Sequence, residues 1–491
     1  MGFQKEMHLR LENVFDLCYD SSNSNEMRWF CFSGRLMTMT KYNNTEIDML
    51  HGPLAGKIVL FAIPLAASSI LQQLFNAADI AVVGRFASAA AMAAAGSNAA
   101  VINLLVGLFT GLAIGANVVI ANLVGADKRE RIRDAVHTVI ALALISGIFL
   151  TVVGFFLAPA VLHLMGAPEN VLKLAVVYLR IYFTGMPAIM VYNFGSAILR
   201  SKGDSRRPFL SLTLAGIVNV LLNLLFVIVF RLHVIGVALA TVLSNLLCAC
   251  LILYFLLHEE PEFRLDFHSL HLDRELLTRV VQVGLPAGLQ GMVFSFSNVV
   301  IQSAVNSFGA NCIAGMAASQ YFDFMSYSLL NAFGQATVTF VSQNYGAGNE
   351  FRCRRVLQLS MLIGIGSDLV LIALMILFRN PLLHLFTTDE AVIPYALTRM
   401  IYVFSLHFLC GSYEIPAGAL RGLNHSMVPA LISVLGTCAF RLTYVFFIFP
   451  SHRSFINLII VYPISWILTG TAMNIAYQIV RRRVFRQIRQ A

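Results

Sequence analysis

The sequence predicts an all-α polytopic membrane protein with twelve transmembrane helices in two six-helix lobes related by a parallel internal repeat. Three observations predict it. Of its 491 residues, 58% are hydrophobic and only 12% charged, about half the charge of an ordinary soluble domain. Apolar stretches long enough to cross a bilayer alternate with short basic loops. The second half of the chain also repeats polar, proline and glycine positions of the first half.

In order, hydropathy and breaker residues place the spans at about 54–84, 90–122, 134–158, 171–199, 208–230 and 234–258. The second set follows at 276–305, 312–344, 355–378, 391–420, 428–450 and 455–480. Span one carries a single carboxylate well inside it, Asp79 in FNAADIAVVGRF. Span two ends at the basic 125–133 loop, and span four at the 200–207 loop with Arg200, Lys202, Arg206 and Arg207. Spans six and seven are joined by EEPEFRLDFHSLHLDRE. Arg352, Arg354 and Arg355 follow span eight, Arg421 follows span ten, and RRRVFRQIR closes the chain. All of these fall on one side of the membrane. The other side receives only Arg85, Lys173, Arg231, Arg379 and Arg453. The bias makes both termini cytoplasmic.

A shift of 221 superposes Gly125-Ala126 on Gly346-Ala347, Leu199-Arg200 on Leu420-Arg421, and Pro208 on Pro429. A shift of 222 aligns Pro64 with Pro286 and Asn76 with Asn298. Six spans per unit is an even number, so the repeat is parallel, as in many secondary transporters. The expected organisation is a polar tail (1–50), an N-lobe (51–258), a cytoplasmic linker (259–275), a C-lobe (276–480) and a basic cytoplasmic tail (481–491). The tail reads as disordered, and Met37, Met39 or Met49 as an alternative start.

The net charge of +9 is spread over membrane-flanking loops and does not predict nucleic-acid binding. No Walker A, GxSxG or HExxH motif is present, and no acid or histidine cluster at one depth, so an enzyme is not expected. The eight cysteines read as small hydrophobes, with neither a disulfide framework nor a zinc site. The expected partners are the lipid bilayer and small-molecule substrates, for a monomer without a cofactor.

Ionisable groups inside membrane segments are costly and mark functional sites by default. In the N-terminal half, Asp79 has no evident ion-pair partner unless Arg180 reaches it. Asn219 and Asn223 stand four apart on span five, on one helix face, and Thr241 lies on span six. One carboxylate, two amides and a hydroxyl suit Na⁺ or a proton, although asparagines also join helices as structural hydrogen-bonding groups. In the second half, Glu414 on span ten is a counter-charge candidate for Arg441, as a structural pair or part of a substrate site. Asp323 and Asp368 carry no usable pattern.

These stretches resemble a known family. ILQQLFNAADIAVVGRF, YNFGSAILRSKGDSRRP, QNYGAGNEFRCRR and AGALRGLNHSMVP are similar to segments of the multidrug and toxic compound extrusion (MATE) transporters, of the DinF-like and NorM-like bacterial branches. The resemblance covers about 52–480. It implies two six-helix lobes around a V-shaped cavity, and secondary active multidrug efflux of organic, often cationic, compounds by antiport with H⁺ or Na⁺ through alternating access. It also implies a coupling-cation site at Asp79, Asn219, Asn223 and Thr241, with no metal beyond Na⁺. Asn223 stands where DinF-like members often carry Asp. The acids of NorM-like C-lobes fall on Phe294 and Cys410, so a Na⁺ site of that kind is not expected. The alternative is a lipid-linked oligosaccharide flippase of the related superfamily, for which Arg180, Arg399 and Arg441 are few basic groups. Thiol labelling of single cysteines should place 125–133, 200–207 and 346–355 in the cytoplasm. Labelling of any of them from outside would overturn the span count.

Overall fold

The computed structural model describes residues 46–86, 89–164, 169–384 and 389–490. Twelve helical segments run back and forth: α1 Leu54–Phe86, α2 Ala89–Gly125, α3 Arg129–Leu164, α4 Glu169–Thr184 with Met186–Lys202, α5 Arg206–Val229 and α6 His233–Leu257. The second set is α7 Arg274–Asn306, α8 Ala310–Gly346, α9 Glu350–Leu377, α10 Ile393–Gly422, α11 Met427–Ser451 and α12 Phe455–Gln490. Ten are apolar and long enough to cross a membrane, and α4 makes an eleventh across a 48° bend. The bend follows Gly185, where Pro187 lies in the first turn of the second half and cannot donate back to the first. The twelfth, α8, is the polar one. It affords Ser, Thr, Gln and Asn because its second half is buried almost throughout, from Ala336 to Asn344.

The lobes exchange half-helices. The first half of α1 (Leu54, Ile58, Phe61 and Leu65) packs in one core with Phe333, Phe340 and Met473 of the second lobe. Beyond Ala66 the helix leaves that core, and Val83 packs with Val227, Val234 and Val237 of α5 and α6. Helix α7 does the converse. Leu276 and Val280 join the first lobe's core, and beyond Pro286 Ile301 and Val305 join the second. Both crossings rest on small residues four apart, which let backbones approach closely. A Cβ on Gly111 of α2 would lie 2.3 Å from Gly288 N, and one on Gly115 2.3 Å from Val280 O. The repeat-related positions at a shift of 221–222 are Ala332 and Ala336 on α8 and Ala62 and Ala66 on α1, all buried in one core. Gly125 and Gly346, themselves repeat-related, close the basic end. A Cβ on the first would lie 1.8 Å from Gln343 O, and one on the second 2.1 Å from Asn122 O.

The stretch just before α1 departs from expectation. Residues 46–50 were assigned to a polar tail, yet Met49 is buried. Its carbonyl accepts from Asn344 Nδ2 (3.1 Å) and Arg352 Nη2 (3.0 Å). One apolar side chain and a satisfied carbonyl are enough to dock it. The remainder of that tail, including Met37 and Met39, lies outside the described residues. The linker after α6 is also held, with Phe263 and Leu265 buried in the first lobe's core. Lys202 reaches Glu259 at 2.9 Å and Glu260 at 3.1 Å, and Arg207 pairs with Glu259 and Asp204. Burial alone would raise the Glu259 carboxyl, but the charges of Arg207 and Lys202 outweigh it and hold it below its ordinary value.

Two stability predictions follow from this packing. Gly111→Leu should cost about 2 kcal/mol or more through overpacking and lower the unfolding temperature in detergent. Gly107→Leu, one turn earlier, where a Cβ meets nothing within 4 Å, should be neutral or gain about 0.5–1 kcal/mol from helix propensity. The second concerns pH. Glu259 has a depressed folded-state pKa, so its contribution is present above the ordinary value of 4.5 and is lost as pH falls through the folded value. Glu259→Gln should cost about 3 kcal/mol at pH 7 and flatten the acid limb of a plot of unfolding temperature against pH.

Candidate coupling site and interlobe cavity

Asp79 sits in the second half of α1, beyond Pro64, where the helix leans on α5 and α6. Asn219 and Asn223 stand one turn apart on α5 and are both buried. The Asn223 amide donates to Asp79 Oδ1 (2.5 Å) and to Asn219 Oδ1 (3.2 Å). Thr241 of α6 lies 3.4 Å from Asp79 Oδ2 and 2.9 Å from Val237 O. A hydroxyl has one proton to give, and the carbonyl is the nearer acceptor, so Oδ2 keeps a weak partner. Asn223 Oδ1 is buried without any partner. The four residues named from the sequence are therefore together, and they leave free oxygen valence at one point.

Arg180 does not reach this carboxylate. Its Nε lies 3.4 Å from Phe155 O and its guanidinium covers the Phe155 ring at 4.8 Å. Two residues that sequence reasoning missed do approach. Tyr178 and Tyr182, one turn apart on α4, stack on one another at 6.2 Å and lie near enough to Asp79 to feel its charge. Their spacing was the only signal, and the arginine between them drew the attention.

The second lobe fills the corresponding place differently. Arg441 of α11, which the 222 shift sets opposite Asn219, is 1% exposed. Its Nε donates to Ser465 Oγ (3.0 Å), its Nη1 lies 3.5 Å from Asn298 Oδ1, and its guanidinium covers Tyr462 at 4.6 Å. Asn298 is the repeat partner of Asn76. The expected Glu414–Arg441 pair is not formed. Glu414 instead faces Arg421 of the same helix, two turns on, at 3.7 Å. Helical geometry puts residues seven apart on one face, and that face turns away from α11's arginine. Asp323 pairs with Arg399 at 2.5 Å. Asp368 accepts from Ser326 Oγ (2.6 Å), which also lies 2.6 Å from His407 Nδ1.

Between the lobes lies a cavity of about 250 Å³. Its wall includes Asn117 of α2, Phe294 of α7, Tyr327 and Gln335 of α8, and Tyr413 and Glu414 of α10. Arg200 and Arg421, assigned from the sequence to loops, also line it. Each occupies the last helical turn before its loop and turns inward.

The chain matches the MatE family over residues 64–225 and 286–446, two segments at the spacing of the internal repeat. It is similar to the probable multidrug resistance protein YoeA of Bacillus subtilis, 28% identical over 76% of this chain and 82% of that one. It is also similar to the FAD transporter of Shewanella oneidensis, 24% identical over 86% of this chain and 94% of that one. Its fold matches a solved MOP superfamily transporter from Pyrococcus furiosus with a TM-score of 0.81 and 23% identity, over 89% of this chain and 97% of that one. Because the family model covers both halves of the repeat and more than half of the residues, the chain belongs to the MatE family of membrane transporters.

Proposed function

We propose that the protein is a secondary active exporter of organic compounds, driven by one monovalent cation, H⁺ or Na⁺, that enters at Asp79. The observation that supports this reading is the unpaired carboxylate itself. Asp79 has no cationic partner among the described residues, and Asn223 Oδ1 beside it has none of any kind. A bilayer-embedded acid without a cationic partner is retained against a cost of about 2.5–3.5 kcal/mol. A cation that binds there and leaves on the other side gives that cost a purpose.

The exchanged half-helices suggest how binding is felt at a distance. The carboxylate rides on the half of α1 that packs in the first lobe, while the other half is anchored in the second. Filling or emptying the site changes the charge that α1 presents to α5 and α6, and so biases how the lobes meet. Substrate would enter the interlobe cavity from the cytoplasm, and the cation would favour the state that releases it outward. The bias cannot exceed the cation's differential affinity for the two states. A potential of 100 mV with a tenfold gradient supplies about 3.7 kcal/mol per monovalent cation. That sustains a gradient of about 500-fold for a neutral solute. The names of the relatives span multidrug resistance and FAD transport, so sequence similarity alone assigns no substrate. A flippase reading draws nothing from Arg180, Arg399 and Arg441, which bond to separate partners and do not line the cavity; the arginines that do line it are Arg200 and Arg421. In this reading the chain works as a monomer in the inner membrane, with both termini in the cytoplasm.

The test is export from proteoliposomes with Na⁺ and H⁺ gradients imposed one at a time. Asp79→Asn keeps shape and a carbonyl oxygen but loses the charge and the titrating proton. It should abolish gradient-driven export while the protein still folds, with passive substrate exchange retained. Asn219→Ala and Thr241→Ala should weaken coupling less, since each removes one neutral ligand. Gradient-driven export at the wild-type rate by Asp79→Asn would move the coupling site elsewhere, to Glu414 or Asp368 first.

A further inference from the structure

The cavity between the lobes has a charge that the coupling site does not explain. Its charged lining among the described residues is Arg200, Arg421 and Glu414, two guanidiniums against one carboxylate. The two arginines are the same position in the two halves of the repeat, 221 residues apart. Each stands in the last turn of the fourth helix of its lobe, so the pseudo-two-fold relation brings one positive group to the cavity from each side.

Neither arginine makes a hydrogen-bonded ion pair. Arg421 is 7% exposed. Its Nη2 donates to Gln290 Oε1 (3.1 Å) and its Nη1 stands 3.7 Å from Glu414 Oε1, too long for a hydrogen bond, while its Nε is buried with no partner. Arg200 donates from Nη1 to the neutral Gln335 Oε1 (3.2 Å), and no carboxylate among the described residues pairs with it. Gln335 in turn donates to Asn331 Oδ1 (2.6 Å), whose amide points at Tyr327 OH (3.4 Å). A polar rail along α8 thus links Arg200 to the neighbourhood of Glu414. A buried guanidinium nitrogen without a partner on Arg421 and a part-buried guanidinium on Arg200 held only by a neutral amide are an anion's complement, because charge-assisted hydrogen bonds to carboxylate or phosphate are the strong ones. The aromatic wall of Phe294, Tyr327 and Tyr413 offers faces for a flat apolar body.

We propose that the repeat-related pair Arg200 and Arg421 makes the interlobe cavity a binding site for small aromatic anions, compounds that join a carboxylate or phosphate to a planar ring system. Glu414 sets the strength of the site by neutralising one of the two charges. This names the substrate class of the export reading and rests on it, but it is tested by binding alone, with no gradient.

The experiment uses full-length protein in nanodiscs of zwitterionic lipid. Two probes with the same ring and opposite charge, 1-naphthoate and 1-naphthylmethylammonium, are titrated by their own fluorescence. Wild type should bind the anion at least about tenfold more tightly than the cation, the factor expected from one charge-assisted contact. Arg200→Gln, which removes no ion pair, should weaken naphthoate about tenfold and leave the ammonium unchanged or tighter. Glu414→Gln, which raises the cavity's charge, should tighten naphthoate. Glu414→Gln also keeps the test decisive if an arginine variant fails to fold. A preference of wild type for the ammonium, or naphthoate affinity indifferent to both substitutions, would overturn the proposal. Loss of naphthoate binding when acidic phospholipid is added would assign the arginines to a lipid headgroup, and would overturn it as well. Asp79-dependent export of cationic compounds only would leave the exporter reading standing and this one refuted. Absence of any gradient-driven transport, with naphthoate binding as expected, would do the reverse.

Discussion

The rest of this structure depends on the close packing that lets α1 and α7 each belong to both lobes. A transmembrane helix has no hydrophobic incentive to leave lipid for another helix, so it must be held by contact at short range. Gly111 and Gly115 against Gly284 and Gly288 supply that contact on one side. Ala332, Ala336, Ala62 and Ala66 share the core on the other. Glycine on one side and alanine on the other makes the pair unequal, with α7 seated more closely than α1. Larger residues at these positions would push the half-helices out of the partner lobe, and the two bundles would be joined only through loops. Small side chains, and not charges, hold the lobes in register.

Around that frame the polar groups separate by depth and by lobe. The Lys202, Arg207 and Glu259 cluster clasps the linker at the basic end, where burial and multiple partners make ion pairs worth holding. The Asp79 group lies toward the opposite end of α1, with the tyrosines of α4 behind it. The interlobe cavity lies between, walled by α2, α4, α7, α8, α10 and α11. The Asp79 group and the interlobe cavity are therefore separate places, joined through a helix that touches both lobes, and in the proposed reading cation and substrate share no ligand. Mutual influence between them is a matter of how the lobes pack, in keeping with coupling through a bistable element.

Much of this was legible in the sequence. Twelve segments followed from hydropathy, because each must satisfy its own backbone in lipid. Asp79 stood out as the lone acid of an apolar run, and the four-residue spacing of Asn219 and Asn223 put them on one face. The convergence of these with Thr241 needed the family resemblance, since spacing says nothing about which helices meet. Other features could not be read. The exchange of half-helices depends on crossing angles at Pro64 and Pro286 that no one-dimensional pattern records. Glu414 was matched with Arg441 by chemistry, but the rotation of α10 turned it to Arg421. Arg200 and Arg421 looked like topology signals because they sit at helix ends, where a side chain can snorkel outward or fold inward with equal local sequence. The four-residue spacing of Tyr178 and Tyr182 carries little weight by itself, because tyrosine is ordinary near a membrane interface.

Arg441 has a consequence of its own. It occupies the place in the second lobe that the coupling group's asparagine occupies in the first, with Asn298 and Ser465 about it. A guanidinium keeps its charge at every accessible pH and cannot diffuse away. The second lobe thus resembles the first with its visitor permanently riveted in. On the proposed reading of Asp79, one bundle carries a fixed positive charge where the other holds a site that can be empty or full, so the duplicated halves would divide into a stator and a rotor.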